Sequence, residues 1–400
     1  MLMTIFTILF VIVCVALCVV ILLQASKGGG LGAGLGGGTA GGAFYESSSV
    51  AGAGGAGGDG GDISITNAGN IMTFGKGSFG IFAQSIGGGG GIAGFVEDDS
   101  DFGAHVNGAA GSDGDGGDIT VTNTGAITTY GDGAHAIFVQ NVGGGGGVAG
   151  SVDGADGLIG SASGDGSAGT VTVVQTGDIT TEGKQAHGIF IQSAAGIDGG
   201  LVNLTYEGDI LVSGENSHAV FVQSDGATAN GDYVVDLNGT VATGGSGTGA
   251  GFMSPDGANG TLNNYTTLSA LSGTAVQGGT GNDAVDNHEV IIGNVDLAGG
   301  ANSFRNRADA IFQSSDIAFM GAGNTLTNEG IMTPGGEAVI QTTLLTGNFV
   351  QTSTGDDQGT LIMDVKYSAD PSDLIDVTGT ANVGGYVAPR LQNLQYAGRS

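Results

Sequence analysis

Three histidines fall at one position of a recurring phrase: His135 in GDGAHAIFVQ, His187 in GKQAHGIFIQ and His218 in GENSHAVFVQ, with Phe79 at the same place in GKGSFGIFAQ. A glutamine follows five residues later in every copy, as Gln84, Gln140, Gln192 and Gln223. Imidazole is the commonest metal-ligating side chain, so a column of histidines could hold a metal ion. A ligating histidine is ordinarily oriented by a carboxylate or carbonyl on its other nitrogen. No Asp or Glu stands at one offset from all three histidines, and Phe79 breaks the series. The expected role of both sets is therefore structural, as side-chain ladders between strands stacked about 4.7–4.9 Å apart.

Other candidate chemistry is thinner. GGTGNDAVD, residues 278–286, fits the nonapeptide GGxGxDxUx that binds calcium between stacked turns, with Asp283 at the ligand position and Val285 at the buried one. The phrase occurs once, whereas calcium there needs ligands from adjacent copies, so an ordinary Gly-Asn-Asp turn is expected. Gly87 to Gly91 and Gly143 to Gly147 are five-glycine runs, but no helix start follows them and no Lys stands within them, so they suit loops rather than a phosphate cradle. Cys14 and Cys18 share a helix face inside an apolar run without His or acidic neighbours, which fits membrane packing better than metal binding. His288-Glu289 lacks the second His of H-E-x-x-H, and no G-x-S-x-G is present. The many carboxylates sit in Gly-rich turns, where they serve turn chemistry and solubility. The chain is expected to be no enzyme and to need no cofactor.

The elements that must position these residues follow from the repeats. DISITNAGNIMTFGKGSFGIFAQSIGGGGG, residues 62–91, matches DITVTNTGAITTYGDGAHAIFVQNVGGGGG, residues 118–147, almost position by position. Further copies begin at Thr170, Leu201 and Tyr233. The corner glycines Gly69, Gly125, Gly177, Gly208 and Gly239 lie 56, 52, 31 and 31 residues apart, so the unit is constant while its insert varies. Alternating apolar residues such as Ile63 and Ile65, or Ile119 and Val121, have the period of a strand with one buried face. Asn-x-Gly and Thr-x-Gly end each run with residues that tolerate tight corners. Units too small to bury a face alone must stack, which predicts an all-β fold, a right-handed parallel β-helix (β-solenoid), preceded by one N-terminal transmembrane α-helix.

Composition agrees with a stack. The chain has 400 residues with 85 Gly, 4 Pro, no Trp, 40% hydrophobic and 12% charged residues, so it carries apolar material to bury at regular intervals. Its formal net charge is −30, from 38 acidic against 8 basic residues, which repels phosphate backbones and excludes nucleic acid as a partner.

From Ile5 to Leu23 no charge interrupts the run IFTILFVIVCVALCVVILL, long enough to cross a bilayer core of about 30 Å. A cleavable signal peptide would want a basic start, a shorter core and small residues before the cut, and MLMT offers no Lys or Arg. Lys27, just after the run, places the amino terminus outside and the following residues in the cytoplasm. LLQASKGGGLGAGLGGGTAGGAFYESSS, residues 22–49, resembles the first helix and loop of the SecG subunit of the bacterial Sec translocon. The resemblance rests on Leu22, Leu23, Gln24, Lys27, Gly28, Gly29 and Gly30, and on Phe44 as the aromatic near the loop end. It implies a small inner-membrane protein that assists export alongside the Sec translocon subunits, although the family's second membrane helix does not follow residue 50. A plain anchor with a flexible Gly-rich linker is the alternative.

A second resemblance covers residues 59–391. GIFAQSIGGGGG (80–91), IIGNVDLAGGANSFRNRADAIF (291–312), AGNTLTNEGIMTPGG (322–336), LTGNFVQTSTG (345–355) and DLIDVTGTANVGGYVAPRL (373–391) are similar to passenger-domain repeats of autotransporters. That family implies a β-helix displayed outside the cell through a carboxy-terminal barrel. No set of barrel strands follows here, so an outer-membrane β-barrel translocator is expected to be absent from this chain. The expected organisation is a SecG-like transmembrane helix at 1–26, a Gly-rich loop or linker at 27–58, repeats with Gly-rich inserts at 59–260, the rest of the passenger at 261–391 and a short tail at 392–400. The expected function is surface display or adhesion by a membrane-anchored passenger; the alternative is a SecG-like translocase subunit. The first segment belongs in the bacterial inner membrane. The repeats lie at the cell surface if exported, and in the cytoplasm if the SecG-like topology holds.

Overall fold

The computed structural model describes residues 58–88, 113–144, 165–353, 358–366 and 372–392. The apolar run at 5–23, with Cys14 and Cys18, and the SecG-like positions Leu22, Leu23, Gln24, Lys27, Gly28, Gly29 and Gly30 lie outside these residues. Among the described residues every regular element is a strand, and no helix is long and apolar enough to cross a membrane.

Short strands with β-branched residues at alternate positions form because one face of each can be covered by the next coil. Ile63–Asn67, Ile119–Asn123 and Val171–Gln175 lie side by side in parallel with residue-for-residue register, so Ile65, Val121 and Val173 form one inward column. The column continues through Leu204, Val235, Leu262, Val285, Phe304, Leu326 and Phe349. Among the described residues eleven such strands make the first ladder, the last of them Ala381–Val383. It passes through residue 260 without a break, since Gly260–Asn264 pairs with the strands on both sides of it.

Each coil adds a second and a third strand. Ile71–Thr73, Ile127–Thr129 and Ile179–Thr181 begin the second ladder, and Ile81–Ile86, Ile137–Gly143 and Ile189–Ala195 begin the third. The two merge into one 19-stranded sheet because the long strands Val290–Asp296 and Ile311–Phe319 run through both. All the pairings are parallel, an arrangement consistent with a β-helix. Its main core is an apolar column along the stack rather than a central ball, with a smaller cluster around Phe138 and Phe190 beside it, as expected when each repeat contacts only its neighbours.

The repeated glycines have a steric cause. A Cβ on Gly125 would stand 2.1 Å from the carbonyl oxygen of Gly69, and one on Gly177 would stand 2.2 Å from that of Gly125. At the next corner Gly131, Gly183, Gly214 and Gly245 meet the preceding carbonyl at 2.0, 1.9, 1.7 and 1.8 Å. Backbone stacks directly on backbone at these corners, so no side chain fits.

Candidate functional site

The three histidines lie in the turn before the third-ladder strands, where Gly75, Gly131, Gly183 and Gly214 have just reversed the chain. Strand register carries them into one column: the rings of His135 and His187 stack at 4.8 Å and 5°, and those of His187 and His218 at 4.8 Å and 20°. Phe79 caps the column on His135 at 5.4 Å. A second column of Phe82, Phe138, Phe190 and Phe221 packs beside it, with successive centroids 5.2, 5.1 and 4.7 Å apart. Flat rings repeat here because the coil spacing suits ring-on-ring contact.

The imidazole nitrogens show how the column works. Nδ1 of His135 accepts the backbone N–H of His187 at 2.9 Å, Nδ1 of His187 accepts that of His218 at 2.9 Å, and Nδ1 of His218 accepts that of Ala250 at 3.0 Å. An acceptor Nδ1 fixes the neutral ring with its proton on Nε2. Burial lowers His135 to about 3, with the charge of His218 adding to it, holds His187 well below its ordinary value, and lowers His218 to about 4. Each histidine is thus engaged as a neutral staple between coils. No group of three or more His, Cys, Asp or Glu among the described residues is placed to hold a metal ion.

The glutamines form the other ladder on these coils. Gln84 donates to Gln140 at 2.5 Å, Gln140 to Gln192 at 2.5 Å and Gln192 to Gln223 at 2.7 Å. Gln140 is fully buried, and the strands Ile137–Gly143 and Ile189–Ala195 bury both faces, unlike the alternating strands elsewhere.

A longer polar ladder escaped the sequence reading. Asn67 donates to Asn123 at 2.6 Å and Asn123 to Gln175 at 2.7 Å. Tyr206 and Leu237 then occupy the position, after which Asn264, Asn287, Asn306 and Asn328 donate in turn at 2.8, 2.8 and 2.8 Å. Asn328 reaches Gln351 at 3.4 Å. The signal was present as Asn or Gln at the last position of eight of the eleven first-ladder strands, but it reads as turn chemistry until the register is known.

Asp283 does not project from an outer turn. It begins the strand Asp283–Asn287 with its side chain inside the stack, 3% exposed, and Oδ1 accepts from the Tyr233 hydroxyl at 2.7 Å. His288 stacks on Tyr265 at 4.2 Å, with Nε2 3.6 Å from Asp286. Asp286 also forms a two-pronged ion pair with Arg307. Burial pushes the Asp286 carboxyl up, but the hydrogen bonds and charge of Arg307 outweigh it and hold the group below its ordinary value. Asp286, Arg307 and His288 brace neighbouring coils on the outer face of the first ladder.

Compared with known families, residues 3–58 match the preprotein translocase SecG subunit. No curated protein and no solved structure matches the chain.

Proposed function

We propose that the chain is a non-enzymatic scaffold of the autotransporter passenger type: a right-handed parallel β-helix for surface display or adhesion, tied to the inner membrane by a SecG-like N-terminal segment. The observation that carries this reading is the first ladder, eleven parallel strands in continuous register. Along it and the neighbouring ladders, His, Asn and Gln bond to the next coil instead of converging on a common point. Extended stacks of this kind offer long side faces for contact, and surface charge of one sign keeps them apart in solution. The right hand follows from the general rule for crossovers between parallel strands.

The family match favours a second reading, a SecG-like subunit working with the Sec translocon. The match ends at residue 58, where the described stack begins, so the two resemblances meet at one junction. They differ in topology. Protease added to intact spheroplasts should cut the repeats if the chain is an exported passenger. Repeats left uncut in the unmodified chain, and exposed only when Thr4→Lys with Lys27→Gln moves the positive charge to the amino-terminal flank, would favour the SecG-like topology and overturn the passenger reading.

A further inference from the structure

One buried acid is left over from the stapling chemistry. Tyr233, Gly260 and Asp283 occupy equivalent places on three successive first-ladder strands. The Tyr233 ring fills the place of the absent Gly260 side chain, since a Cβ there would lie 1.8 Å from a ring carbon. It therefore spans one coil to reach Asp283 on the next, and its hydroxyl donates to Oδ1 at 2.7 Å. The Asp283 backbone N–H is held by Asn302 at 2.8 Å. Oδ2 is sealed against the backbone at Gly278 and accepts no hydrogen bond of full geometry, the Gly279 N–H offering the carboxyl only a weak one.

Among the described residues no cation faces this carboxyl. The ionisable groups on the elements around it are Tyr233 itself, five acids held elsewhere and Arg305, which pairs with Glu329 on the outer face. Asp232 is held by Asn259, Asp236 by Asn263, Asp256 through one oxygen by Gln223, Asp286 by Arg307, and Asp296 by the N–H of Ala298. A carboxylate sealed with one weakly bonded oxygen and no counter-ion is costly, whereas the neutral acid loses little on burial. We infer that Asp283 is a proton-operated latch: the coils from Tyr233 to Asn302 close around it as the neutral acid and loosen when it ionises. Burial raises this carboxyl to about 6, against the smaller opposing pulls of the Tyr233 hydroxyl and the Gly279 N–H. The sign follows from linkage. A folded-state value above the unfolded one gives stability that is full below about 3.8 and lost as pH rises through about 6.

The test uses the full chain in detergent micelles, compared with Asp283→Asn, by thermal melting and by the infrared band of protonated carboxyl groups. The folding constant of the unmodified chain relative to the variant should rise about a hundredfold from pH 8 to pH 4. A carboxyl band with its midpoint near 6 should appear in the unmodified chain only. Tyr233→Phe removes a donor that favours the ionised form, so that midpoint should move upward. The bands of Asp256 and Asp373, which burial also raises, should stay in place. A pH-independent ratio, or a midpoint in the ordinary carboxylate range, would overturn the latch. If Asp283→Asn does not fold, the band and its movement in Tyr233→Phe decide the matter: a band that stays still overturns it.

Discussion

The coils from residue 58 to 226 and those from 260 to 353 solve one problem with different side chains. Both must hold parallel strands in register, and both use amide ladders. The earlier coils carry one at the end of the first ladder, as Asn67 to Gln175, and add a second on the third ladder, as Gln84 to Gln223, beside the imidazole and phenyl columns. The later coils carry theirs at the end of the first ladder, as Asn264 to Gln351, with ion pairs outside. The hand-over lies where Tyr206 and Leu237 interrupt the asparagine series, and there the Gln192–Gln223 and His187–His218 contacts run on. Coil length changes as well. Bonded ladder partners stand 56 and 52 residues apart early in the chain but 19 to 23 apart between Asn264 and Gln351. A long coil closes a larger loop in the unfolded chain, and a stack of rings and amides on both strand faces offsets that entropy.

The largest expected effect belongs to a corner of the earlier coils. Gly183→Ala puts a methyl 1.9 Å from the Gly131 carbonyl, and neither backbone can yield without breaking register, so a loss of about 4 kcal/mol or more is expected in thermal unfolding. Gly133→Ala meets nothing within 4 Å and carries only its positive φ of 64°, so about 1 kcal/mol is expected. Equal losses would remove stacking contact as the reason for the glycines.

The ladders themselves come next. Asn287→Ala deletes a buried amide that bonds Asn306 and leaves its neighbours unmatched, costing about 3 kcal/mol. Amide hydrogen exchange should then quicken in the coils around Asn264 and Asn306. Gln140→Ala should do the same around Gln84 and Gln192, costing about 2 kcal/mol. Because neighbouring coils couple most strongly, each variant should spare the other region; opening of the whole stack by either would dissolve the comparison.

Acid should separate the two regions by sign. The column histidines lie below 6.5 when folded, so the stability they confer is present above that pH and is lost as pH falls toward about 4 for His218 and about 3 for His135. Exchange in residues 119–226 should therefore rise between pH 6.5 and 4. His187→Phe, which copies the ring at Phe79, should flatten part of that dependence while giving up one acceptor, worth about 1 kcal/mol. An unchanged pH profile in His187→Phe would show that this histidine is not a neutral staple.

The smallest effect is a gain. In the turn before the third ladder the same left-handed position holds Gly77, Gly133, Gln185, Asn216 and Gly247 in successive coils. Gln185 bears its side chain at φ 52°, so Gln185→Gly should stabilise by about 0.5 kcal/mol in calorimetry. A loss would mean that the glutamine side chain does something the turn geometry does not reveal.

Much of this was legible beforehand. The period-two pairs such as Ile119 and Val121, the Thr-x-Gly corners and the matching phrases determined that the chain makes short strands in repeated units. The constant offset of five from each histidine to its glutamine determined that both would recur in columns, because equal offsets in equal coils must stack. What only the tertiary structure decided is which groups meet across coils of unequal length. Asn264 and Asn287 are 23 residues apart and Tyr233 and Asp283 are 50 apart, and no local pattern links them. Asp283 reads as a turn residue in GGTGNDAVD, and only the missing side chain at Gly260 lets Tyr233 reach it and hold it inside. Local sequence fixes strand and corner through backbone sterics, whereas inter-coil contacts depend on register, which is set by the summed lengths of everything between.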